Sequence, residues 1–165
     1  TIDKAVFPGS QGGPLEHIIL AKALGFKQNL DSSWKDYAKN IKANAKAMEE
    51  ALRNHGFKMI SDGTDNHLLL IDLTNKNITG SEAQDLLDQV NITTNKNTIP
   101  NEQLSPNVTS GLRIGTAAIT SRGMGVDESK KIIELISRTI DRNEDIEQIK
   151  REVLDLTSKF PVYGN

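Results

Sequence analysis

One arginine is separated from every other charged residue in its part of the chain. Arg113 lies in the run S-G-L-R-I-G-T and carries the only charge between Glu102 and Arg122. A guanidinium is a planar fork of donors that binds a carboxylate through two parallel hydrogen bonds. The flanking Gly111 and Gly115 leave space for a ligand. Arg113 is therefore a candidate for binding the carboxylate of an amino acid, with an ion pair to an internal Asp or Glu as the alternative.

A glycine-rich segment near the start of the chain is a candidate anion site. The run G-S-Q-G-G-P, residues 9–14, places Gly12 and Gly13 just before a predicted helix. Successive glycines expose backbone N–H groups, and a helix N-terminus adds partial positive charge, which together suit a phosphate. No Gly-Lys-Ser/Thr follows, so this is neither a Walker A motif nor a dinucleotide fingerprint. A tight turn before a helix is the alternative.

Two asparagines begin a long polar loop. In Asn95-Lys96-Asn97 each amide offers one donor group and one acceptor, which can bind the edge of a heteroaromatic ring. Ordinary turn chemistry is the alternative. The three histidines, by contrast, have no metal-ligand spacing and form no Ser–His–Asp pattern, so we predict no metal site.

Composition limits the classes of function. A chain of 165 residues fits one domain or slightly more, and a net charge of −2 indicates neither nucleic acid nor a membrane as partner. The absence of cysteine excludes disulfides, cysteine zinc sites and a thiol nucleophile, and it fits a cytoplasmic protein. The N-terminus T-I-D-K-A-V-F-P-G has no start methionine and no leader character, so we expect a fragment.

Periodicity and capping signals predict an α/β domain. The spacing predicts helices at 14–29 and 31–55, with Gly56 as the stop, and a capping box at T-G-S-E opens a helix at 79–89. The continuous run L-L-L-I-D-L predicts a strand covered on both faces. Helices should pack on a small sheet of three or four strands, with the first helices leading in from another domain. The remaining predictions are strands at 57–61, 67–73, 90–94 and 112–116, loops at 95–109 and 117–125, a helix capped by Asp127 that ends near Arg142, and a helix at 144–159.

Four motifs resemble serine hydroxymethyltransferase, in that family's order and over nearly the whole chain. They are A-V-F-P-G-S-Q-G-G-P-L-E-H, T-D-N-H-L-L-L-I-D-L, N-K-N-T-I-P-N and V-T-S-G-L-R-I-G-T-A-A-I-T-S-R-G-M-G. The resemblance implies a pyridoxal-phosphate enzyme that moves the serine hydroxymethyl group to tetrahydrofolate and works as a dimer or tetramer. It also implies the aspartate-aminotransferase-like fold (fold type I). Residues 1–30 would then end the large cofactor-binding domain, 31–55 would form a linking helix, and 56–165 would form the C-terminal small domain.

The resemblance also implies roles for individual residues. Arg113 matches the arginine that binds the substrate carboxylate, and Gly12 and Gly13 match glycines that meet the cofactor phosphate from the neighbouring subunit. Asn97 matches an asparagine that contacts the folate pterin, and Phe7 matches a phenylalanine near the folate.

This chain also departs from the family pattern. Ala117 stands where the family often has proline. The family's cofactor lysine lies in a motif ending T-H-K-T, which is absent here. We therefore expect no catalytic residue in this fragment and no activity from it alone. There are two alternatives. One is a free-standing module that binds a small anion or amino acid, and the other is a fragment of another fold-type I enzyme, such as an aminotransferase.

Overall fold

The computed structural model describes residues 1–142 and 144–162 and separates into two compact units, Thr1–Asp36 and Tyr37–Asn165. Among the described residues there are seven α-helices and one four-stranded antiparallel sheet. The predicted division at residues 30 and 55 stays a prediction, and residues 143 and 163–165 of its last part lie outside the described residues. None of the described helices is long and apolar enough to cross a bilayer.

The first unit is helical and its apolar side chains are exposed. It contains α1 (Ile2–Lys4), a π-type turn (Ala5–Ser10), α2 (Glu16–Asn29) and the first turn of α3 (Ser32–Asn54). Helix α2 begins two residues later than predicted, because the Leu15 carbonyl accepts its first hydrogen bonds and leaves Pro14 outside.

Helix α3 contributes one apolar face to the core of the second unit. Ala45, Met48 and Leu52 recur at helical spacing and are buried. The helix ends as predicted, because Gly56 has a φ of +72° and the Phe57 N–H donates to the Leu52 carbonyl at 2.9 Å.

The sheet is small and antiparallel throughout. Its strands are β1 (Lys58–Met59), β2 (Leu68–Asp72), β3 (Asn95–Asn97) and β4 (Gly111–Gly115), in the spatial order β1-β2-β4-β3. Short turns of 3₁₀-helix at Ile60–Asp62 and Thr74–Lys76 follow β1 and β2. The prediction of a small sheet under helices is confirmed.

Coverage of β2 on both faces was a wrong prediction for this structure. Leu69 and Ile71 are buried, whereas Leu68 and Leu70 on the opposite face are only half-buried. The physical reason is that α3, α4 (Gly80–Gln89) and α6 (Val126–Asp141) contribute to one apolar cluster together with Leu69 and Ile71. One face of the sheet is therefore left open.

The predicted strand at 90–94 is also wrong, and the edge strand lies immediately after it. Val90 and Ile92 donate backbone hydrogen bonds to the Leu87 carbonyl, and Asn91 has a φ of +63°. These residues thus end α4, and the chain becomes extended only at Asn95, inside the predicted loop.

The sequence predicted the N-terminal cap of α4 correctly but not that of α6. The capping box of Thr79 and Glu82 is confirmed. Asp127 is not the cap of α6, because Gly125 takes that position and its N–H donates to the Glu128 carboxylate at 2.8 Å. The predicted loop at 117–125 contains the short helix α5 (Ala117–Ser121), and the last helix, α7, spans Ile146–Ser158.

Helix α7 is joined to α6 by apolar packing and by ion pairs. Leu135, Ile149 and Val153 belong to a second buried cluster. Arg138 donates to Glu152 at 2.7 Å, and this bond holds the pKa of Glu152 at about 2, below its ordinary value. The two helices are thus held together by both apolar contacts and charge.

Candidate functional site

Arg113 lies at the middle of β4 on the open face of the sheet. It pairs with Leu70 of β2 on one side and with Asn95 of β3 on the other, whereas its neighbours Leu112 and Ile114 point into the core. The Arg113 side chain is exposed and makes no hydrogen bond or ion pair with the residues that the structure describes. The alternative of an internal ion pair is thus not what this structure shows.

Asn97 shares that face with Arg113. Asn97 is in register with Gly111, two positions from Arg113, so the two side chains are diagonal neighbours on adjacent strands, with Cα atoms about 7–8 Å apart. The Asn97 amide donates to the Thr98 carbonyl at 2.7 Å. Its side-chain oxygen has no partner within 1–142 and 144–162 and stays available as an acceptor.

Gly111 is needed because three backbones approach closely there. A Cβ at this position would lie 2.7 Å from the Asn97 carbonyl oxygen and 3.1 Å from that of Ile71. At Gly115 the nearest atom, the His67 carbonyl oxygen, would be 3.5 Å from a Cβ, which is ordinary contact. Of the two glycines that flank Arg113, only Gly111 is therefore required by packing.

One carboxylate organises the loop that joins β3 to β4. Glu102 accepts hydrogen bonds from the N–H groups of Leu104 (3.0 Å) and Ser110 (2.8 Å), from the Ser110 hydroxyl (2.7 Å) and, at 3.3 Å, from the Ile99 N–H. The bonds from Leu104 and Ser110 hold the pKa of Glu102 at about 2, against an ordinary value of 4.5. Glu102 thus fixes the loop just beyond Asn97 and just before Gly111.

The chain after β4 is fixed by polar contacts to α3. The Asn44 amide, almost fully buried, donates to the Thr120 hydroxyl at 2.9 Å and to the Met124 carbonyl at 3.0 Å. The Thr116 hydroxyl donates to the Ile41 carbonyl at 2.9 Å. Sequence reasoning missed Glu102, Asn44 and Thr116, because their partners are mostly backbone atoms or distant in sequence, and no local pattern marks them.

A cavity of about 490 Å³ opens beside Arg113 within the second unit. Arg113, Asn95 and Gly115 lie along its edge together with the exposed Ala118 of α5. Its walls are largely apolar but also include Asn91 and the threonines Thr93, Thr94 and Thr157, and none of its lining residues is an Asp or Glu. The apolar side chains of the wall are Met48, Ile92, Ile114, Ile119, Met124, Ile132, Leu135, Ile136, Val153 and Leu156.

The other predicted site residues belong to the first unit. Phe7, Gly12 and Gly13 are exposed; neither glycine has a positive φ, and a Cβ at either one would meet no atom within 4 Å. The N–H groups of Gly12 and Gly13 donate to no group in the described part of the chain, so two successive donors are available to an anion. This donor set fits the phosphate of a cofactor.

No metal centre accompanies these sites in the part of the chain that the structure describes. Across residues 1–142 and 144–162, no group of three or more His, Asp or Glu side chains converges on a point where a metal ion could bind. The groups available to ligands are a guanidinium and an amide in the second unit and backbone N–H donors in the first.

A family comparison agrees with these motifs. The family model described as Serine hydroxymethyltransferase matches residues 1–136. The chain belongs to the serine hydroxymethyltransferase family. Serine hydroxymethyltransferases depend on pyridoxal phosphate and interconvert serine and glycine with tetrahydrofolate. The match includes every predicted site residue and ends within α6, so it confirms the resemblance that the four motifs carried.

Proposed function

We propose that this chain supplies the substrate-carboxylate and folate-binding part of a serine hydroxymethyltransferase, with Arg113 binding the carboxylate of serine or glycine. The single observation that carries the proposal is the position of Arg113, which is exposed, has no partner among the described residues and lies on the same sheet face as Asn97. An arginine whose role was an internal ion pair would instead lie within hydrogen-bond distance of a carboxylate.

The surroundings of Arg113 favour a carboxylate ligand. No other residue between 103 and 121 is charged, so no neighbouring carboxylate in that segment competes for the guanidinium. Leu70, half-buried, pairs with Arg113 across the ladder and lowers the local polarity. A bidentate pair formed in such surroundings is stronger than one fully exposed to water.

Asn97 is proposed to bind the pterin of tetrahydrofolate. Its free side-chain oxygen can accept a hydrogen bond from a ring N–H or amino group. Because β3 and β4 are paired in register and Glu102 fixes the loop between them, the distance from Asn97 to Arg113 is set by the sheet. Phe7 is proposed to lie near the folate as well.

Pyridoxal phosphate is proposed to bind at Gly12 and Gly13 through its phosphate. When bound, the cofactor withdraws electrons from bonds to the α-carbon of the amino acid. The residues of this chain bind and orient: Arg113 holds the carboxylate, and the two glycine N–H groups hold the phosphate. We further propose the fold-type I architecture and a homo-oligomeric parent enzyme, in which the glycines serve the neighbouring subunit.

The first experiment is an NMR titration of the ¹⁵N-labelled chain with glycine and with serine. We expect saturable shifts at the Arg113 side chain and at neighbouring β4 amides, and loss of these shifts in Arg113→Gln. Arg151→Gln is the matched control, because Arg151 is an exposed arginine on α7, away from the sheet. Unchanged binding in Arg113→Gln would refute the role of Arg113.

A second experiment tests whether this chain is active alone. The chain is mixed with pyridoxal phosphate and dialysed, its absorbance spectrum is recorded, and serine and tetrahydrofolate are added. Because the T-H-K-T motif is absent, we expect no retained visible band and no turnover. A retained band that shifts with serine would show that one of the lysines present binds the cofactor covalently.

A further inference from the structure

The cavity beside Arg113 has the form of a second ligand site that neither serine nor glycine would fill. Its walls are largely apolar and come from β4, α5, α6 and α7, with three threonines among them. Volumes of this order are typical of small-molecule sites. Serine carries an ammonium and a hydroxyl, and the interior offers the ammonium no carboxylate.

The positive charge at the cavity edge favours an anionic ligand. Two arginines, Arg113 and Arg122, are among the lining residues. Arg122 is held in place, because its Nε donates to the Phe160 carbonyl at 2.7 Å and its Nη2 to the Thr157 carbonyl at 3.1 Å. Arg113, by contrast, makes no hydrogen bond or ion pair with any described residue, so its whole guanidinium is available to a ligand. The site is therefore complementary to an anion at the edge and to an apolar group inside.

Small residues keep the cavity open beside Arg113. Gly115 has no side chain, and Ala118 presents only a methyl group to the same edge. A carboxylate held by Arg113 can thus extend its chain past these two residues toward Ile119. Larger side chains at either position would close this path.

We propose that the cavity binds an aliphatic monocarboxylate, with the carboxylate on Arg113 and the hydrocarbon chain among the apolar walls. This rests on the proposed function, because both ligands use the same guanidinium. The aliphatic acid consequently excludes serine or glycine from Arg113 and acts as a competitive ligand of that position.

The test compares acetate, butyrate and hexanoate by the same NMR titration. Acetate engages Arg113 alone, whereas the longer acids also bury methylene groups. Affinity is expected to rise about tenfold for each two methylene groups until the cavity is filled. Hexylamine, which has the chain but the opposite charge, is expected to bind far more weakly, and glycine is expected to compete with hexanoate.

Two variants separate the contributions of charge and cavity. In Arg113→Gln, both acetate and hexanoate should lose their binding. In Ala118→Phe the cavity is filled, so hexanoate should bind no better than acetate; Ala118→Ser is the matched control that should keep the advantage of hexanoate. Ala118 is exposed on a short helix, so its replacement should leave the fold intact, as circular dichroism would show.

Each outcome has a defined meaning. Equal affinities for acetate and hexanoate in the unmodified chain would overturn this inference and leave the proposed function standing. If neither glycine nor acetate shifts the NMR signals of Arg113, both this inference and the proposed function are overturned. Hexanoate binding that persists in Ala118→Phe, with shifts confined to residues 15–30, would locate the acid on the exposed apolar side chains of the first unit and also overturn the inference.

Discussion

At the scale of single residues, Arg113 and Glu102 have opposite relations to their surroundings. Arg113 has no partner in the described part of the chain, whereas the Glu102 carboxylate accepts hydrogen bonds from four donor groups. A free charged group is available to a ligand, and a fully bonded one fixes the structure around it. The two residues therefore call for different experiments.

Replacing Arg113 by lysine should weaken carboxylate binding although the charge is kept. A lysine ammonium is a point charge and cannot form the two parallel bonds of a guanidinium. We expect glycine affinity to fall about tenfold in Arg113→Lys, consistent with loss of one charge-assisted hydrogen bond. NMR titration measures the change, and equal affinity in both proteins would contradict bidentate binding.

Protonation of Glu102 should loosen the loop between β3 and β4. The pKa of Glu102 is about 2 in the folded chain and ordinarily 4.5, so its stabilising effect is complete above pH 4.5 and is lost as the pH falls toward 2. The amide resonances of Ile99, Leu104 and Ser110 should move together through this interval.

The variant Glu102→Gln should produce the same loosening at neutral pH. We expect faster hydrogen exchange at Leu104 and Ser110, whose N–H groups donate to the carboxylate. Glu147→Gln, an exposed carboxylate in the first turn of α7, is the control. If exchange at these amides were the same in both variants, Glu102 would not be what holds the loop.

At the scale of elements, the pairing of β3 with β4 brings the two candidate binding residues together. Asn97 and Arg113 are 16 positions apart in sequence, yet they share one face of the sheet. The Asn97 carbonyl approaches Gly111 so closely that a Cβ there would lie 2.7 Å from its oxygen.

A methyl group at Gly111 should therefore destabilise the sheet. Gly111→Ala forces a Cβ to within 2.7 Å of the Asn97 carbonyl oxygen, and we expect a loss of about 1–3 kcal/mol in the free energy of unfolding. Gly115→Ala, with its nearest contact at 3.5 Å, should be close to neutral. Urea denaturation of both variants measures the difference, and equal midpoints would show that the strands move apart at little cost.

The helices were more predictable from sequence than the edge strand. The apolar period of α3 and the T-G-S-E capping box are local signals, and both predicted the observed helices. Asn95–Asn97 has low intrinsic preference for β-structure, so no local signal marks it as a strand. It becomes one because β4 offers it a free ladder edge.

The candidate site was predictable only in its chemistry. The isolation of Arg113 and the amides near Asn97 are visible in the sequence, but their common face depends on the register of strands. The cavity depends on α5, α6 and α7 together, and the sequence context of its apolar lining residues gives no sign of it. Glu102 bonds largely to backbone N–H groups, which leave no trace in the order of side chains.

At the scale of the whole molecule, the two units differ in how well they bury their apolar residues. The second unit has two buried apolar clusters, whereas large apolar side chains of α2 in the first unit stay exposed. Leu20 is 70% exposed and Phe26 67% exposed. Several exposed large apolar side chains on one helix favour association between copies of the chain.

The purified chain should therefore bind a hydrophobic dye and associate with increasing concentration. Leu20→Lys combined with Leu24→Lys should reduce both effects, because it removes exposed apolar surface from α2. Leu154→Lys, at an exposed leucine of α7, is the control. Fluorescence and sedimentation measure the outcome, and a monomeric chain that binds no dye would contradict the prediction.

The hydrogen bonds of Glu102 make the distance between Asn97 and Arg113 independent of the length of the loop that joins β3 to β4. Because this carboxylate joins Ile99 and Leu104 to Ser110, residues 105–107 form a short excursion that is exposed throughout. Lengthening such an excursion adds little closure entropy. Relatives could thus gain or lose residues here while the distance between Asn97 and Arg113 stays the same, and a reporter peptide could be inserted at this point with both strands left in register.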